Sequence, residues 1–66
     1  MQILVNGESK TLPEQATLAD LITQMELTGK RIAVEINAEI VPRSQHGETR
    51  LNAGDEVEIV HAIGGG

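Results

Sequence analysis

Apolar positions alternate with polar ones near both ends of this chain and recur at helical spacing between them, a pattern that predicts strands flanking one helix. Ile3 and Val5 share one side of a strand over 2–5, with Gln2 and Leu4 on the other. Asn6-Gly7-Glu8 follows, and Asn and Gly supply the positive φ of tight hairpin turns, so a second strand over 9–12 should fold back on the first. Two registers are open. A two-residue turn at Asn6-Gly7 sets Ile3 opposite Lys10, whereas a turn centred on Gly7-Glu8 sets Ile3 opposite Leu12 and Val5 opposite Lys10. The second is expected, because it gathers Ile3, Val5 and Leu12 on one buried face with the Lys10 stem along its edge.

Pro13 closes the second strand, and Thr17 stands at a helix N-cap with Asp20 three positions on, where a carboxylate complements the orphan amides. Leu18, Leu21, Ile22 and Met25 then form one apolar stripe, and Asp20, Thr23, Gln24 and Glu26 point elsewhere. Gly29 offers a left-handed cap beyond Leu27, with Lys30 and Arg31 placed as cations at the helix C-terminus, so the helix should stop by about Thr28. Ile32, Val34 and Ile36 alternate with Ala33, Glu35 and Asn37 as a third strand. Asn37-Ala38-Glu39 turns the chain and Ile40-Val41 makes a short strand. The polar stretch 42–52 reads as loop with Leu51 as its anchor, and Ala53-Gly54-Asp55 as a further turn. The last strand starts at Glu56 and runs to about Ile63, with Val57 and Ile59 on one side and Glu58, Val60 and Ala62 on the other. One α+β domain over 1–63 results, followed by Gly64, Gly65 and Gly66 as a flexible tail.

The chain has 66 residues, no Cys and no aromatic side chain. A core of Ile, Leu, Val, Met and Ala must therefore hold it together, with little volume left for a catalytic cleft, and an enzyme is not expected. A formal charge of −5 repels phosphate backbones and argues against nucleic acid. The same charge favours docking on a basic protein surface. No segment is apolar enough to span a bilayer, and Met1-Gln2-Ile3 enters a strand pattern directly, so a cytoplasmic protein free of membrane is expected. His46 and His61 are too far apart in sequence for a metal motif and read as surface residues, so no metal site is expected.

The tail is the candidate for chemistry, the other reading of terminal glycines being a frayed end without a role. Three glycines leaving a strand make a thin segment without side chains, able to thread a narrow channel. Its terminal α-carboxylate is ionised near neutral pH and a poor acceptor for nucleophiles until it is activated, for example as an acyl adenylate. On the open face of the sheet, Leu4 with Val60, Ala62 and Ile63 forms a candidate apolar partner surface leading to that tail.

Met1-Gln2-Ile3-Leu4-Val5-Asn6, Ala33-Val34-Glu35-Ile36-Asn37, Ile40-Val41-Pro42-Arg43, Gly54-Asp55 and the ending Val60-His61-Ala62-Ile63-Gly64-Gly65-Gly66 together resemble the ThiS family of ubiquitin-like sulfur carriers in thiazole formation for thiamine. The resemblance covers the full length. It implies a β-grasp fold, with one main helix across one face of a mixed sheet and the first and last strands parallel at its centre. It also implies that a ubiquitin-activator-like enzyme uses ATP to adenylate Gly66. A persulfide from a sulfurtransferase or cysteine desulfurase system then delivers sulfur, and thiazole synthase consumes the thiocarboxylate. The carrier itself would bind no cofactor. Two other readings are the small subunit of molybdopterin synthase, which typically has prolines before the tail where this chain has none, and a noncovalent β-grasp interaction module.

Overall fold

The structure is a computed structural model and describes residues 1–62. Its elements are β1 (Gln2–Val5), β2 (Glu8–Thr11), α1 (Leu18–Gln24), β3 (Ile32–Ile36), β4 (Glu39–Ile40), a 3-10 turn at Arg43–Gln45, and β5 (Glu56–His61). The strands form one mixed sheet in the order β2-β1-β5-β3-β4. The first and last strands run parallel side by side, and the other pairings are antiparallel.

One face of this sheet is covered. Ile3, Val5, Val34, Val57 and Ile59 point to the side on which Leu18, Leu21 and Ile22 of α1 pack, and Leu12, Ala16 and Leu51 complete the core. Alternation explains the selection, since period-two positions of the strands and one stripe of the helix are the only sets that can meet. Leu51 is the loop's core anchor, as its isolation among polar residues predicts.

The helix begins as the sequence requires. The Thr17 hydroxyl accepts from the Asp20 N–H at 3.2 Å, and the Asp20 carboxylate accepts from the Thr17 N–H at 2.9 Å, a reciprocal capping box. Its end comes earlier than expected. Met25 is the C-cap and Glu26, at φ 59°, takes the left-handed position that the sequence offers to Gly29. The N–H of Leu27 bonds the Ile22 carbonyl and that of Glu26 the Thr23 carbonyl, the Schellman pattern. Packing of Leu27 against the core explains why the chain reverses there despite the glutamate. Lys30 and Arg31 consequently lie in the connection to β3, away from the helix terminus.

The hairpin register also differs from the expected one. Ile3 pairs with Lys10 and Val5 with Glu8, so Asn6-Gly7 is the two-residue turn. Asn6 and Gly7 sit at φ 50° and 84°, the left-handed pair of a type I′ turn. The two registers differ by a slip of two residues, which leaves every side chain on its face, so burial of Ile3, Val5 and Leu12 could not choose between them. Asn37 and Ala38 make a second such turn, at φ 51° and 70°, and β4 is therefore 39–40 instead of the expected 40–41.

Candidate functional site

β5 is the strand that delivers the tail, and both of its neighbours hold it through asparagine side chains as well as through backbone. On one side, β1 stops pairing at Val5 while β5 continues. The Asn6 side chain fills the gap, donating to the Ile59 carbonyl at 3.1 Å and accepting from the Ile59 N–H at 2.9 Å. On the other side, the Asn37 side-chain Oδ1 accepts from the Glu56 N–H at 3.0 Å, and its Nδ2 donates to the Asp55 carboxylate at 3.0 Å. Asp55 in turn accepts from the Asn52 N–H at 2.8 Å and closes the turn before β5. Sequence reasoning placed Asn6, Asn37 and Asp55 in turns and assigned none of them these bonds. The available signal was position: an asparagine at the first place of a type I′ turn has a side chain free to bond its neighbour strand.

At its far end β5 pairs with the start of β3, His61 lying opposite Ile32, and the Ala62 N–H bonds the Arg31 carbonyl at 3.0 Å. Ala62, the last described residue, thus lies beside Arg31. Ile63, Gly64, Gly65 and Gly66, singled out from sequence as surface residue, tail and reactive end, lie outside the described residues.

The uncovered face of the sheet carries the remaining candidates. Leu4 is 39% and Val60 56% exposed, and Ala62 is exposed beside the tail exit. Leu4 and Val60 share this face without touching as neighbours. Leu4 is level with Glu56, and four residues of strand separate Glu56 from Val60, about 13 Å at the usual rise. Val60 instead has Ala33 opposite it. The next row is Glu58 opposite Glu35, with Ile40, 74% exposed, opposite Glu35 on β4. Two carboxylates directly opposed across an antiparallel pair disfavour the isolated fold. Apolar and acidic side chains therefore alternate along a face that leads to the tail.

His46 is not the surface residue expected from sequence. It is 8% exposed, its Nε2 lies 3.1 Å from the Val41 carbonyl, and its own carbonyl accepts from the Ala19 N–H at 3.0 Å. The ring packs the 43–47 turn against α1, a use of histidine that only the fold reveals. Among the described residues no group of three metal-ligating side chains gathers, and no helix is long and apolar enough to cross a membrane.

A mixed sheet gripping one helix, with parallel first and last strands side by side at its centre, is a ubiquitin-like β-grasp domain. The ThiS family model matches residues 3–66. Among relatives, the sulfur carrier protein ThiS of Bacillus subtilis is 36% identical over 94% of this chain and 96% of its own length. A crystal structure of the thiamine biosynthesis protein ThiS from Geobacter metallireducens superposes with a TM-score of 0.86, at 29% identity and full coverage of both chains. The thiazole synthase of Paramagnetospirillum magneticum is 38% identical over the whole of this chain, which spans only 20% of that protein's length. The chain belongs to the ThiS family.

Proposed function

We propose that this chain is a sulfur carrier for thiazole formation in thiamine biosynthesis, with Gly66 as the carrier atom's attachment point. The observation that carries this reading is the family match, which runs without interruption from Ile3 through Gly66 and so takes in the glycine end as well as the domain. In the proposed cycle an adenylating enzyme related to ubiquitin activators uses ATP to convert the Gly66 carboxylate to an acyl adenylate. One carboxylate oxygen departs with AMP as the outer sulfur of a persulfide, supplied by a sulfurtransferase or cysteine desulfurase system, attacks the acyl carbon. A thiol of that system then cleaves the resulting acyl disulfide, supplying the two electrons and leaving a disulfide beside the Gly66 thiocarboxylate. The chain is a protein cosubstrate in this scheme, acting in the cytoplasm, with no cofactor of its own and no catalytic group. Gly65 and Gly64 keep the approach narrow, and the absence of a side chain on Gly66 leaves its carbonyl carbon open.

Thiazole synthase is the proposed acceptor. In the Paramagnetospirillum magneticum relative, a region similar to this chain lies within a longer polypeptide that carries that name. Joining two modules in one chain raises their effective concentration, which suits a donor that must present its terminus to an acceptor. Docking is proposed to use the outer sheet face, where Val60, Ala62 and Leu4 supply apolar contact and Glu58 and Glu35 meet basic groups on the partner. Removing Gly65 and Gly66 should abolish thiazole formation in a reconstituted assay. Retained activity would instead identify a noncovalent interaction module.

A further inference from the structure

Behind the tail exit, on the helix side of the sheet, lies a cleft of about 260 Å³ between the end of α1, the connection into β3 and the 43–47 turn. Ile22, Leu27 and Ile32 give it an apolar floor, and Lys30, Arg43 and His46 line it as well. Its charge is opposite to that of the chain. Ten carboxylates outnumber five Lys and Arg in the sequence, yet two of the five cations line this cleft and none of the carboxylates does.

The cations are also poised for a ligand. Arg43 Nη2 donates to the Lys30 carbonyl at 3.2 Å, which fixes the guanidinium at the cleft and leaves its other donors without a partner among the described residues. Neither Lys30 nor Arg43 has an ion pair among the described residues. The next carbonyl along, that of Arg31, holds the Ala62 N–H. A protein that encloses the chain beyond Ala62 therefore meets the acidic, apolar sheet face on one side and this cationic cleft on the other.

We infer that the cleft receives a carboxylate-bearing segment of thiazole synthase when that enzyme takes the tail. An apolar side chain of the segment fills the floor, and a neighbouring Asp or Glu pairs with Arg43 and Lys30. Opposite charges on the two sides of one exit admit a partner in a single orientation, because a rotated approach sets like charges against each other. This inference rests on the carrier reading, which supplies the synthase as the partner.

The test is a calorimetric titration of thiazole synthase with the full chain and with three variants, each first shown to be folded by its amide NMR spectrum. Lys30→Glu reverses a rim charge that makes no hydrogen bond through its side chain among the described residues. Arg43→Gln removes the guanidinium, and Lys10→Glu, on β2 at the opposite edge of the sheet, makes the same net-charge change as Lys30→Glu away from the cleft. Lys30→Glu and Arg43→Gln are expected to weaken binding by about tenfold or more, and Lys10→Glu by less than about twofold. Unchanged affinity for both cleft variants, or an equal loss for Lys10→Glu and Lys30→Glu, overturns the inference while leaving the carrier reading intact. Failure of the synthase to bind the unaltered chain overturns both.

Discussion

The side-chain amide of Asn6 pairs with both backbone groups of Ile59, as a strand residue would, at 3.1 and 2.9 Å. It extends the β1–β5 ladder past the point where β1 has turned away, and it steadies the part of β5 that leads to the tail. Both bonds are partly buried and join residues 53 apart in sequence. Asn6→Ala removes them and leaves the Ile59 groups unpaired, so unfolding in urea should show a loss of about 2 kcal/mol. Asn6→Asp keeps the acceptor and loses the donor, and should fall between the two.

The capping box gives a second prediction. Thr17→Ala deletes the acceptor for the Asp20 N–H and should cost about 1 kcal/mol in the same assay. An unchanged midpoint would show that the helix does not start at Leu18.

Glu26 and Ala38 occupy left-handed backbone at φ 59° and 70°, a region where a Cβ is disfavoured. Glycine at either position relieves that strain. Glu26→Gly and Ala38→Gly should each raise thermal stability, by about 0.5 to 1 kcal/mol, with the gain reduced by glycine's greater freedom in the unfolded chain. A lower melting temperature for both would contradict the turn and cap geometry described above.

Val60 is exposed in the row of the outer face next to the tail exit. Val60→Asp should leave the amide spectrum that of a folded protein while slowing adenylation of the chain by its partner, because it places a charge where apolar contact is proposed. Adenylation kinetics equal to those of the unaltered chain would remove Val60 from the docking surface.

How far the sequence led can be judged from these same residues. Thr17 and Asp20 were legible because a cap is a local contract between residues three apart. The core stripe Leu18, Leu21 and Ile22 was legible because periodicity is local too. The hairpin register was not, since both candidate pairings bury the same side chains and only the preference of Asn6-Gly7 for left-handed backbone separates them. The helix end was misplaced because the pull of Leu27 toward the core outweighs the reluctance of Glu26 to adopt positive φ, a balance set by tertiary packing. His46 lay beyond reach for the same reason. Its burial depends on the 43–47 turn meeting α1, and nothing near it in sequence records that meeting. The glycine end is a reading of the sequence alone and lies outside the described residues, whereas the cleft unites Lys30 and Arg43, which only the fold places together.

The central claim is that Gly66 carries sulfur, and intact-mass spectrometry tests it most directly. The chain would be weighed before and after incubation with ATP, the adenylating enzyme and a sulfur source, and the modified residue located by fragmentation. The account predicts an ATP-dependent mass increase equal to the replacement of one oxygen by one sulfur, confined to Gly66. An unchanged mass, with an adenylating enzyme shown to be active on another member of the family, would contradict it.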